Sequence, residues 1–273
     1  MRSIDRFRLS RSAIVVALTV AAACASAQQP STTAPAPSGS AVSSTDPALD
    51  PAAMDALQAM GAHLRTLKDF QVEVTTTDED VLEDGQKVQY SGVTNLLAQM
   101  PTRLRAEVVN ERHDRMWLYD GKEFTLFARR LNYYATVPAP PTIGQLADTL
   151  ETDHGFTVPL ADLFRWGAAG RIADGITEAT DFGDSAVAGT TCRHYGFRQD
   201  DLDWQIWIQR GDHPLPRKLV ITTKTDEARP QHTALYIWNL APSFNDKTFT
   251  FDPPAGAGKV VLADVGSGPS ASK

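Results

Sequence analysis

The chain's six histidines, His63, His113, His154, His194, His213 and His232, are its first candidates for chemistry. Zinc hydrolases set two histidines one helical turn apart, as in His-Glu-x-x-His, so that both rings reach one ion. No such pair occurs here, so a metal site would need scattered histidines to converge. No Gly-x-Ser-x-Gly elbow presents a nucleophilic serine. Gly256-Ala257-Gly258-Lys259-Val260 echoes a phosphate loop, but Val260 stands where a Ser or Thr belongs and Pro253 where the first Gly belongs. Asp200, Asp201 and Asp203 could gather a cation, yet turns between strands favour the same residues. The two cysteines are Cys24 and Cys192. Cys192 reads as a small buried apolar residue on a strand rather than a nucleophile. The sequence therefore designates no catalytic residue, no metal ligand and no cofactor, and the expected role is non-enzymatic.

The aromatic residues carry more information. Trp117, Phe124, Tyr133, Tyr134, Trp204, Trp207 and Trp238 all fall in stretches of alternating apolar and polar residues. Any one of them can simply fill a core. A subset, with neighbouring aliphatics, could instead line an apolar cavity, because ligand pockets are mostly apolar with few polar groups. The candidates for such a lining are Trp117, Phe124, Leu126, Tyr133, Trp204, Ile206 and Trp238.

These residues must be positioned by a sheet. In Leu202–Gln209, Leu202, Trp204, Ile206 and Ile208 point one way and Asp203, Gln205, Trp207 and Gln209 the other. Period two marks strands, because successive side chains leave a pleated backbone on opposite faces. Further alternating runs follow, through Leu219 and Ile221, then through Leu235 to Leu240, and Phe249 with Phe251 suggests a last strand. Upstream, strands are expected over Phe70–Asp80, Lys87–Met100, Thr102–Asn110, Arg115–Tyr119, Lys122–Phe127 and Leu131–Val137, with Asp84-Gly85 and Asp120-Gly121 as hairpin turns. Asp50-Pro51 opens a helix with an apolar stripe through Met54, Leu57, Met60 (or Gly61), Leu64 and Leu67. Thr142 caps a second helix that ends before Gly155, and Pro159–Trp166 makes a third, short one.

The plan is α+β: a helix, about six strands, one or two helices, then about five strands, counted from alternation and turn signals. A sheet this wide curls. A curved antiparallel sheet with helices packed on its concave side is a half-open β-barrel with an apolar hollow.

The ends of the chain are different in kind. Arg2, Arg6, Arg8 and Arg11 precede an apolar run, Ala13–Ala23, too short to anchor in a bilayer, and Ala25-Ser26-Ala27 is a small-x-small cleavage site. Residues 1–27 thus read as an export signal; lipid modification of Cys24 is the rival reading. Residues 28–46, rich in Ser, Thr, Ala and Pro, read as a disordered linker. Residues 47–255 form one domain, and 256–273 a flexible tail. The net charge is −7, and loss of the signal's four Arg and one Asp leaves about −10 by charge counting. So acidic a chain is a poor ligand for nucleic acid or anionic membranes.

Several local phrases stand in a fixed order: Ala56-Leu57 to Leu67 followed by Phe70, Pro101-Thr102-Arg103-Leu104-Arg105, Tyr119-Asp120-Gly121-Lys122, Tyr134-Ala135 before Pro138, Leu160-Ala161-Asp162-Leu163-Phe164, and Phe249-Thr250-Phe251-Asp252-Pro253-Pro254. In that order they resemble a bacterial family of predicted periplasmic domains of unknown function, which itself looks like the LolA/LolB/RseB half-barrel group. The resemblance implies a periplasmic binding protein whose partner is a hydrophobic small molecule or a lipid-modified protein. It implies, as the alternative, an RseB-like module that binds another envelope protein and senses stress. It carries over no catalytic residue, and an unrecognised hydrolase ranks third. No nucleic-acid partner and no integral membrane segment are expected.

Overall fold

The computed structural model describes residues 49–166 and 173–263. The expected export signal, the linker and the last ten residues of the expected tail lie outside these. Twelve strands form one sheet in the order β12-β6-β5-β4-β3-β2-β1-β11-β10-β9-β8-β7. The first run is β1 (Asp69–Val81), β2 (Lys87–Gln99), β3 (Arg103–Asn110), β4 (Asp114–Tyr119), β5 (Glu123–Ala128) and β6 (Tyr133–Pro138). The second is β7 (Glu178–Val187), β8 (Thr190–Arg198), β9 (Leu202–Gln209), β10 (Pro216–Thr223) and β11 (Gln231–Asn239), with β12 (Gly258–Lys259) last.

Each run is a meander of hairpins. Their turns use the residues that the sequence offers: at Asp120-Gly121 the Asp120 carboxylate accepts from the N–H groups of Lys122 and Glu123, and Gly121 takes φ 94°. The two meanders join through β1 and β11, where Val72 faces Trp238 and Val74 faces Tyr236. All pairings between these strands are antiparallel except β12 with β6.

Three helices cover one face. In α1 (Pro51–Thr66), the Asp50 side chain accepts from Ala52 N at 2.9 Å, and Ala53, Leu57, Met60 and Leu64 are buried. α2 (Ile143–His154) is capped by Thr142 and stops at Gly155, whose φ of 67° suits a residue without a Cβ. Its Ile143, Leu146 and Leu150 are almost fully enclosed. α3 (Ala161–Trp166) is a single short helix. Together with the inward residues of β1–β5 and β7–β11, these helices form one core. The fold is α+β: a curved antiparallel sheet, open as a half-barrel, with helices on its concave side.

The outer face has a smaller core of its own, which corrects one expectation. Phe249 and Phe251 are not in a strand. The segment crosses the convex side of β3–β6: Phe249 is buried, and Phe251 packs its ring 5.5 Å from Phe127 and 5.1 Å from Tyr134. Arg105 donates to the Thr248 carbonyl at 3.3 Å. An extended segment laid across an apolar face shows the same Phe-x-Phe alternation as a strand, so periodicity could not separate the two. Nor does the fold stop at Ala255, because Gly258 and Lys259 extend the sheet beside Tyr133 and Tyr134. Cys192 is buried on its strand, and burial pushes its thiol pKa up.

Candidate binding cavity

Side chains on the concave face fall into two zones. Where β1 begins, Phe70, Val72 and Val74 are sealed under the helices. Where β1 ends, the inward row turns polar at Thr76 and Asp78, and the sheet is less tightly covered. A large cavity, about 350 Å³, lies there between this end of the sheet and the segment 157–163. Its floor comes from neighbouring strands: Thr76, Thr94, Val108, Trp117, Leu219 and Tyr236. Pro159, Leu160 and Leu163 close it from above.

Two further hollows adjoin the same short helix. One, about 290 Å³, lies between Asp162, Arg165 and Trp166 of α3 and Trp204, Leu219 and Ile221 of β9 and β10. The other, about 280 Å³ and mostly apolar, lies between Leu163 and Phe164 and the group Leu64, Arg65, Leu67, Phe70 and Met100. α3 is therefore the partition between three spaces. Leu160 leads into it with φ 56°, a left-handed backbone that costs free energy in a residue with a branched, bulky side chain. Arg165 ties α3 to Glu151 of α2 through an ion pair.

Apolar side chains make most of the large cavity's wall, and polar ones, Asp162, Tyr236, His113, Arg115 and His232 among them, interrupt it. Asp162 lines this cavity and the one beside Trp204 and is exposed to solvent, although protein atoms crowd its carboxyl. The surrounding atoms govern its titration: burial raises its carboxyl pKa, with Arg165 and His232 pulling it back down. Tyr236 is 5% exposed, and burial together with the nearby Asp162 pushes its phenol well above the usual range. At the mouth, His232 Nδ1 stands 2.6 Å from Asp78 Oδ1, and His113 and Arg115 line the opposite side. Burial and the arginines 112, 115 and 130 hold His113 below its ordinary pKa.

The expected lining residues separate into groups. Trp117 is on the wall of the large cavity, its ring 5.6 Å from Phe124 and edge-on to Phe156. Trp204 is on the wall of the second, stacked on Phe197 at 4.4 Å. Phe124 and Ile206 are fully enclosed behind these walls, and Leu126 packs against the same core. Trp238 leans on Phe70 at 5.6 Å and donates its indole N–H to the Pro216 carbonyl at 2.9 Å. Tyr133 is 51% exposed beside Gly258 at the sheet edge and lines none of these three spaces. Sequence reasoning missed Asp162, Thr94 and Tyr236. The one available signal was an acid inside the otherwise apolar Leu160–Phe164 turn.

Among the described residues, no three His, Cys, Asp or Glu side chains stand together as a metal-holding group, and no helix is long and apolar enough to cross a membrane.

Fold and hollow define an open half-barrel with a helix-partitioned concave face. The chain belongs to the family described as "Predicted periplasmic protein (DUF2092)", whose model matches residues 53–263. It is similar in structure to an uncharacterized conserved protein from Thermus thermophilus, at 10% identity and TM-score 0.45, over 77% of this chain and 99% of that one. It is similar also to LprF from Mycobacterium bovis, at 14% identity and TM-score 0.41, over 72% and 96%. A LolA superfamily protein from Nitrosomonas europaea gives 12% identity and TM-score 0.35, over 73% and 97%. No protein of curated function matches the sequence.

Proposed function

We propose that the protein is exported to the periplasm by residues 1–27 and there holds a hydrophobic ligand, a lipid or an acyl chain, in the concave hollow beneath α3. Domain 47–255, with the segment that crosses its outer face, is the binding unit, and no covalent step is involved. The observation that carries this reading is the meeting of three cavities at one six-residue helix. Each cavity is near the lower limit of a small-molecule site, roughly 300 Å³. An outward shift of α3 joins them into one channel walled by Trp117, Trp204, Leu219 and Leu163. Each methylene sheltered there is worth about 0.8 kcal/mol. Release needs only the reverse movement.

Native mass spectrometry of the gently purified protein tests this. A bound mass that disappears with organic extraction, and uptake of a fluorescent fatty acid that Trp204→Ala weakens severalfold, are the expected results. A clean apo mass with no uptake by the folded protein refutes the reading.

One observation favours a protein partner as the second reading. On the convex face Leu235, Val93 and Val109 lie in one cross-strand row through Thr75, and each is over 40% exposed. Ile237 beside them is 60% exposed. Pull-down that depends on Ile237 and not on Trp204 would favour an envelope-protein interaction instead.

A further inference from the structure

Tyr236 sits in the middle of the concave sheet with its hydroxyl on the large cavity and no hydrogen-bond partner among the described residues. A mostly buried phenol ordinarily finds an acceptor; the Tyr236 oxygen is not among the sealed, unpartnered atoms, so its partner would come from the cavity. The same chain provides one elsewhere: Tyr119, also buried, donates to the Pro140 carbonyl at 2.5 Å. Asp162 reaches the same cavity from α3, likewise without a hydrogen-bonding partner among the described residues. Thr94 adds a buried side chain in the same cross-strand row, since Tyr236 pairs with Val74 and Val74 with Thr94. Around this polar spot the walls are Val108, Trp117, Val158 and Leu163.

We propose that Tyr236 and Asp162 form the head-group clamp of the cavity, and that its ligand is an acyl lipid with an uncharged oxygen-bearing head, an ester or a glycerol-like hydroxyl. This rests on the hydrophobic-ligand reading and specifies it. The phenol donates to a carbonyl or hydroxyl oxygen. The Asp162 carboxylate accepts from a hydroxyl, and its raised pKa lets the protonated form donate instead. A free fatty acid suits the spot less well, because its carboxylate would meet that of Asp162. Of the basic side chains nearby, Arg165 pairs with Glu151 and His232 bonds with Asp78, while Arg115 and His113 line the same cavity. The acyl chain then extends over Leu163 toward Phe70 once α3 moves.

The test uses the purified exported protein and displacement of N-phenyl-1-naphthylamine, an apolar probe with no oxygen. Monooleoylglycerol should displace it at about tenfold lower concentration than oleate or octadecane, the range that one or two hydrogen bonds supply. Tyr236→Phe removes one oxygen and no packing volume. It should cut that preference severalfold, leave the probe's own affinity unchanged, and leave the melting temperature unchanged or slightly raised, since no protein hydrogen bond is lost. Asp162→Asn should lower glycerol-head preference while keeping apolar uptake. Equal displacement by all three compounds, or a Tyr236→Phe variant indistinguishable from the parent, overturns the clamp and leaves the apolar hollow standing. Failure of the probe to bind at all overturns both.

Discussion

His63 lies on α1 with its ring 5.2 Å from that of His213 and its Nε2 buried without a hydrogen-bond partner. Burial and the neighbouring histidine hold its pKa below the ordinary 6.5. His113 and His194 are lowered too, in both cases by burial first. A depressed histidine favours the neutral form in the folded state. Its contribution is complete above the unfolded pKa and is lost as pH falls through about 6.5 toward the folded value, because the unfolded chain takes up the proton first. Urea midpoints should therefore drop between about pH 7.5 and 5.5, the window set by that ordinary value. His63→Leu should flatten part of that slope, and His213→Ala a smaller part; an unaltered slope in both would dismiss the pair as its source. At this scale the sequence was only partly legible. Parity placed Trp204 and Ile206 on the same side of β9, yet one borders a cavity and the other is sealed. Which is which depends on where α3 rests, and that is decided by residues far away in the chain.

Single elements were more readable, because each has its own local cause. The caps at Asp50 and Thr142 and the turn at Gly121 are short-range chemistry, and they stand where the residue types put them. The segment carrying Phe249 and Phe251 was not readable, since its partner is a sheet face more than a hundred residues upstream, as in the Arg105–Thr248 bond. It acts as a strap that buries Leu118, Thr125 and Phe127, which would otherwise be outward-facing surface. Phe251→Ala should then cost about 2–3 kcal/mol, somewhat below the usual loss for a fully enclosed Phe, and Phe249→Ala rather more, because Phe249 is the deeper of the two. Denaturant unfolding reads both. Cavity binding should survive, because the strap crosses the face opposite to the hollow. Loss of apolar-probe uptake in a still-folded Phe251→Ala protein would count against that separation of faces.

On the scale of the whole molecule, alternation reveals two meanders but not their union. Nothing in local periodicity says that β1 must pair with β11, a contact that spans most of the chain. That pairing makes one wide sheet from two, with β1 and β11 at its middle and the helices gathered in its curve. The resulting hollow is framed by both halves: Trp117 from the first, Tyr236 and Leu219 from the second. A ligand lodged there bridges the two meanders and must stabilise the whole fold, because unfolding either half destroys its site. Linkage sets the size. At a free concentration about a hundred times the dissociation constant the gain is about 2.7 kcal/mol, which for a domain of this length is roughly 5–10 °C in melting temperature. Calorimetry with monooleoylglycerol should show that rise in the parent protein and a much smaller one in Trp117→Ala and Trp204→Ala at the same lipid concentration. Val93→Asp, on the convex face, should keep the full rise. The opposite pattern, with the shift preserved in the tryptophan variants and abolished by Val93→Asp, would move the ligand to the outer row of Leu235, Val93 and Val109 and leave the concave hollow as packing space alone.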